Sequence, residues 1–164
     1  MRAYVGVGTN LGDRWARLAL AARALRAAAG VSLVRASRVW DSEPIGPPQP
    51  RYLNAVLELE TGRTPESLHR VLQDAERAAG RRRASEVHWG ARTLDLDLLL
   101  HGEAVVRTPA LTVPHPELAR RRFVLLPLAD LCPDRPVPGT GATVAELLSR
   151  APPQELRLAG LYPA

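Results

Sequence analysis

Asp95 and Asp97 are the residues whose types and spacing point most directly to chemistry. They alternate with Leu94, Leu96, Leu98 and Leu100, and in a β-strand residues two apart share a face. The pattern predicts a strand over residues 94–100, with four leucines packed on one side and both carboxylates on the other. The acids would stand about 7 Å apart along the strand. Two like charges at that distance are costly to bury unpaired. They suit Mg²⁺, a hard cation that takes one or two carboxylates and completes its shell with water and substrate phosphate. An exposed strand face carrying two solvated acids would show the same spacing.

The surrounding charges favour phosphate. Arg81, Arg82, Arg83 and Arg92 precede the acids or flank them, and Arg120, Arg121 and Arg122 follow. Carboxylates among several arginines are a common grip for a metal–polyphosphate complex. All 22 basic residues are arginine, a bias that a GC-rich genome would explain; without lysine, neither a Walker A lysine nor a Schiff base is available. The net charge of +5 is also compatible with a basic α+β domain that binds nucleic acid. Aromatic residues make up only 4% of the chain, which is poor for base stacking. Gly6, Gly8 and Gly12 lie in a run that superficially resembles a dinucleotide-binding turn, with Arg35 as a conceivable 2′-phosphate reader. The glycine spacing is wrong for that fingerprint, and a tight strand-to-helix turn is the simpler expectation.

The elements that must position these residues can be read in outline. Residues 4–8 form a first strand. Leu11, Trp15, Leu18, Ala22, Leu25 and Ala29 then recur at helical spacing, up to Gly30. A second strand falls within 31–39. Residues 41–51 hold four prolines and a glycine and must be a loop. In the strand at 52–60, Ala55, Leu57 and Leu59 face one way and Tyr52, Asn54, Val56 and Glu58 the other. Thr64, Pro65 and Glu66 start a helix whose stripe is Leu68, Val71, Leu72 and Ala75, ending at Gly80. Residues 81–93 form a second long loop, 108–115 are extended, and short helices are predicted around 116–122 and 143–149. His69 and His101 read as surface residues. The order of elements predicts an α+β fold, a largely antiparallel sheet packed with helices. The chain has 164 residues, ample for one domain spanning 1–164. It has no apolar run of the ~20 residues that cross a bilayer and no signal-peptide pattern, so a cytoplasmic protein is expected. The single cysteine, Cys132, excludes an internal disulfide and reads as a buried, inert thiol.

Several stretches together resemble the 6-hydroxymethyl-7,8-dihydropterin pyrophosphokinases of folate biosynthesis. They are the opening Val7-Gly8-Thr9-Asn10-Leu11-Gly12, then Ser42-Glu43-Pro44-Ile45-Gly46 with Tyr52-Leu53-Asn54-Ala55. Trp89-Gly90-Ala91-Arg92-Thr93-Leu94-Asp95-Leu96-Asp97 is the most specific, and Val113-Pro114-His115 with Arg121 and Phe123 completes the series. The resemblance runs from Tyr4 to about Pro133. The chain departs from the family pattern at Trp40, Glu43, His88, Ala91 and Pro116, and its proline-rich loop is about one residue short.

The resemblance implies a ferredoxin-like α+β fold. It implies an ATP-dependent diphosphotransferase that moves pyrophosphate from ATP to the hydroxymethyl group of a reduced pterin and releases AMP. Asp95 and Asp97 would bind two Mg²⁺ ions and, with Arg83 and Arg92, form the catalytic set. Glu76, Arg83, Arg92, Leu98, His115 and Arg121 would contact ATP. Tyr52 and Phe123 would sandwich the pterin, Asn54 would read its polar edge, and the backbone of Ser42, Glu43, Pro44 and Ile45 would line its pocket. ATP and the pterin are then the expected partners of a monomer that needs neither nucleic acid nor membrane. Such a reaction demands positioning and charge neutralisation more than covalent catalysis. No dedicated general base stands out; Asp97 is at most a candidate proton acceptor. The loops 41–51 and 81–93 are natural lids that would exclude water.

Overall fold

A computed structural model describes residues 1–80 and 93–163. The expectations for residues 81–92, including the ATP contacts of Arg83 and Arg92 and the departures His88 and Ala91, lie outside the described residues. The chain opens with β1 (Arg2–Thr9), α1 (Arg14–Ala27), β2 (Val31–Ala36), β3 (Val39–Ser42) and β4 (Tyr52–Thr61). It continues through α2 (Pro65–Ala78), β5 (Asp95–His101) and a small hairpin, β6 (Val106–Arg107) with β7 (Thr112–Val113). A 3₁₀ turn at Leu118–Arg120 leads into α3 (Arg122–Leu131). A second small hairpin, β8 (Pro136–Val137) with β9 (Ala142–Thr143), precedes α4 (Val144–Arg150) and β10 (Leu156–Gly160).

The helix starts follow local rules. The Asp13 carboxylate accepts from Ala16 N–H at 3.0 Å, Thr64 caps α2 through Ser67 N–H at 3.2 Å, and Thr143 and Glu146 form a reciprocal capping box on α4. The main sheet has the order β10-β3-β4-β1-β5, with β2 also paired to β4, and its ladders are antiparallel. The run β1-α1-β2-β4-α2-β5 with spatial order β2-β4-β1-β5 is the ferredoxin-like arrangement, so the expected fold class is borne out.

Both faces of the sheet are packed. On one, Val5, Val7, Leu57, Leu59, Leu96 and Leu98 meet Leu18 and Leu25 of α1 and Leu68 and Leu72 of α2. On the other, Tyr4, Val56, Leu99 and Leu100 meet Leu125, Leu128 and Leu131 of α3 and Val144 and Leu147 of α4.

The structure corrects several expectations. Leu100 leaves the face of Leu94, Leu96 and Leu98 for the second core, because the β1–β5 register slips between Tyr4 and Val5 and Leu99 bulges. The same slip turns His101 inward: it is buried, with Nε2 2.8 Å from the Arg63 carbonyl. His69 is half-buried. On α1, Leu18, Ala22 and Leu25 are buried as predicted, but Leu11 precedes the helix, Trp15 is 38% exposed, and Ala29 is exposed beyond the helix end. The predicted loop loses Asp41 and Ser42 to β3. In place of a helix around 116–122 there is one 3₁₀ turn, followed by α3 with Pro127 in its interior. A proline there forfeits a backbone hydrogen bond, but Leu125, Pro127 and Leu128 are buried, and that packing holds the helix. Arg35 belongs to an ion pair, its guanidinium 2.6 Å from the buried Glu58 carboxylate.

Candidate active site

The second face of the sheet is only partly covered. Helices α3 and α4 pack over Tyr4 and Val56, and beyond them the face opens into a cavity of about 260 Å³. Its floor is set by strand register. Gly8 pairs with Asn54 of β4 on one side and with Asp95 of β5 on the other. In the next row Gly6 stands between Val56 and Asp97. Neighbouring strands lie about 4.8 Å apart, so Asn54 and Asp95 face each other across a trough about 10 Å wide. Glycine at position 8 keeps that trough open. A Cβ there would lie 3.7 Å from Tyr52 Cδ1, 3.9 Å from Asn54 Oδ1 and 4.0 Å from Asp95 Cβ.

At the β4 end the lining is apolar plate and amide. Tyr52 and Phe123, the latter on the first turn of α3, contribute rings to the cavity wall. The Arg121 guanidinium lies 5.7 Å from the Phe123 ring centroid, in cation–π range. Asn54 is buried, and its Nδ2 donates to Ser42 Oγ at 2.7 Å and to the Trp40 carbonyl at 3.2 Å. Ser42, Glu43 and Ile45 close this end. The exposed Glu43 carboxylate lies 3.5 Å from Arg51 Nη1. Asp41 pairs with Arg51 and, at 3.7 Å, with Arg14, so the base of the 43–51 loop is tied to the sheet and to α1.

At the β5 end the lining is charged. Asp95 and Asp97 share the cavity face of β5, as their spacing predicted. His115 is anchored by its backbone N–H on the Leu99 carbonyl at 3.0 Å. Its Nδ1 accepts from Glu117 N–H at 3.2 Å, so in the neutral ring the proton sits on Nε2, which lies 3.9 Å from Asp97 Oδ2. Burial, then the Arg121 charge, pushes the His115 pKa below the usual histidine value, against the opposing pull of Asp95 and Glu117. His115 is therefore a neutral Nε2–H donor near pH 7. Two carboxylates opening on a cavity fit a hard divalent cation that takes its remaining ligands from water and phosphate. Among the described residues no cluster of three or more His, Cys, Asp or Glu side chains forms a closed metal cage.

The structure thus gathers Ser42, Glu43, Ile45, Tyr52, Asn54, Asp95, Asp97, His115, Arg121 and Phe123 around one cavity. Pro44, Glu76 and Leu98 do not line it. Leu98 packs in the first core, and the buried Glu76 accepts from Leu96 N–H at 2.8 Å. Gly6, Gly8, Leu99 and Val124 are lining residues that the sequence reading did not assign. The signal for the glycines was their alternation with Val5 and Val7, which puts both on one face of β1 rather than in a turn.

Comparison with known proteins agrees with this geometry. Residues 4–133 match the family described as 7,8-dihydro-6-hydroxymethylpterin-pyrophosphokinase (HPPK). The chain belongs to that family. It is 42% identical to a 2-amino-4-hydroxy-6-hydroxymethyldihydropteridine pyrophosphokinase of Pseudomonas aeruginosa over 92% of each chain. It is 40% identical to the enzyme of that name from Bacillus subtilis, over 79% of this chain and 77% of the relative. Among solved structures, an HPPK-DHPS in complex with substrates superposes with a TM-score of 0.69 at 11% identity, over 91% of this chain and 43% of that one. The Plasmodium falciparum HPPK-DHPS gives 0.67 at 13% identity, over 91% and 43%. The chain therefore spans about two fifths of these longer proteins, which share its HPPK fold.

Proposed function

We propose that this HPPK-family chain transfers pyrophosphate from ATP to the hydroxymethyl group of 6-hydroxymethyl-7,8-dihydropterin, releasing AMP, as a step of folate biosynthesis. The observation that carries this reading is the row Asn54–Gly8–Asp95. It gives one cavity a flat-ring end and an anionic end, about 10 Å apart across three strands. Tyr52 and Phe123 offer two aromatic faces for a planar heterocycle, and Asn54 offers an amide edge. With the ring seated there, its hydroxymethyl arm would reach over Gly8 toward the carboxylates, where the phosphates would lie.

Asp95 and Asp97 would hold Mg²⁺, two ions by family resemblance, which when bound neutralise the phosphate charge and orient the chain for in-line attack. His115 would donate its Nε2–H, and Arg121 its guanidinium, to phosphate oxygens. Arg83 and Arg92, from the family motif, would add further contacts to the triphosphate, and Leu98 would be a nucleotide contact by the same resemblance. Glu76 would act on ATP through β5, because its carboxylate holds Leu96 N–H at the start of that strand. Pro44 and the rest of the 43–51 loop would cover the ring and exclude water. We read the chain as one pyrophosphokinase domain acting as a cytoplasmic monomer; among the described residues no helix is long and apolar enough to cross a membrane.

Product analysis tests the reaction. With ATP, Mg²⁺ and the reduced hydroxymethylpterin, AMP and pyrophosphorylated pterin should form in equal amounts, and chelation of the metal should stop both. ADP as the stoichiometric product would refute pyrophosphoryl transfer.

A further inference from the structure

Ser42 enters the family resemblance only as part of the backbone that lines the ring pocket. Its side chain has a further role in this chain. Ser42 and Asn54 are 2% and 5% exposed, so the bond between them is shielded from water. A primary amide has two N–H donors. In Asn54 one goes to Ser42 Oγ at 2.7 Å and the other to the Trp40 carbonyl at 3.2 Å. The orientation follows from the partners: the Trp40 carbonyl can only accept, so it must face the amide nitrogen, and the reversed amide would set two oxygens against each other. The Asn54 carbonyl is thereby turned to the trough, where a Cβ on Gly8 would meet Oδ1 at 3.9 Å.

We propose that Ser42 is a specificity-determining positioning residue: its hydroxyl holds the Asn54 amide so that only a carbonyl oxygen faces the ring pocket, which selects a heterocycle edge presenting an N–H. This rests on the reading of the pocket as a pterin site and deepens it. An edge presenting a lone pair at that point would meet the Asn54 oxygen and be rejected, whereas an N–H edge completes the amide's last free valence. Because both amide hydrogens are engaged before the ligand arrives, recognition requires no rearrangement of the side chain. Removing the Ser42 hydroxyl leaves one buried N–H without an acceptor, and the amide keeps only its longer 3.2 Å bond to the Trp40 carbonyl to hold its direction.

The test is steady-state kinetics on Ser42→Ala and Ser42→Thr with the two substrates varied separately. Ser42→Ala should raise the KM for the pterin about tenfold, the effect of one buried donor left unmatched, with kcat and the KM for ATP within about twofold of the unaltered enzyme. Ser42→Thr, which restores the hydroxyl, should bring the pterin KM back. If Ser42→Ala does not fold, Ser42→Cys gives the second reading: its sulfur nearly keeps the side-chain shape but is only a weak acceptor, and the same selective rise is expected. An unchanged pterin KM in Ser42→Ala, an equal rise in the KM for ATP, or failure of threonine to restore binding would overturn the proposal. Failure of the unaltered enzyme to release AMP would instead refute the pterin reading beneath it.

Discussion

The two faces of the central sheet are built from the same three strands. On the face under α1 and α2, alternate residues of β1, β4 and β5 are Val5, Val7, Leu57, Leu59, Leu96 and Leu98, each at most 3% exposed. On the opposite face the intervening residues are Gly6 and Gly8, Asn54 and Val56, Asp95 and Asp97. There α3 and α4 cover only the half nearest Tyr4. One face is continuous hydrocarbon and stabilises the fold by burial. The other gives up side-chain volume at two glycines and places like charges side by side, neither of which favours stability. Because strand periodicity separates the two sets by a single residue, stability and activity in this chain should respond to different, interleaved positions.

Leu57→Ala removes a fully buried side chain from the closed face. It should cost about 2–5 kcal/mol, measured by chemical denaturation, while kcat/KM at a temperature where the variant is folded stays within about twofold. A loss of activity exceeding the loss of folded protein would break the separation.

Gly8→Val probes the open face. The isopropyl group would fill the trough between Tyr52, Asn54 and Asp95, and a β-branched residue suits an extended strand. Stability should hold or rise, and kcat/KM for the pterin should fall about a hundredfold, some 2.7 kcal/mol of transition-state binding. A fall in stability with activity retained would place the ring elsewhere.

The smallest effect is expected at Cys132. Burial pushes its thiol up to about 11. A raised pKa means that thiolate accumulates only as pH approaches that value, so iodoacetamide should label the native chain negligibly at pH 8 and readily in denaturant. Cys132 is half-buried rather than buried as its sequence suggested; labelling without unfolding, or loss of turnover after labelling, would tie this thiol to the open face.

Much of this division was legible in the sequence, wherever the governing interaction is local. The common direction of Asp95 and Asp97 follows from strand period alone, and Asp13, Thr64 and Thr143 stand where helix caps belong. What was missed depends on partners distant in sequence. The bulge at Leu99 arises from the register of β1 against β5, and no property of residues 95–101 announces it. The first strand runs past Gly8 to Thr9 because Thr9 pairs with Leu53, a partner that residues 4–8 do not announce. Helix α3 was hidden by Pro127, a local breaker that tertiary packing overrides. The site residues were collected by family resemblance, but their division into a ring end and an anionic end, with glycine between them, is a product of three-strand register that no spacing rule encodes.

The most direct test of the account is AMP release by Asp95→Ala and Asp97→Ala, measured with saturating ATP, Mg²⁺ and reduced hydroxymethylpterin beside the unaltered enzyme, with thermal unfolding recorded for each. The account predicts a fall in turnover of at least about a thousandfold in both variants, with each still unfolding in one cooperative transition. Turnover retained within about tenfold in either variant would contradict it.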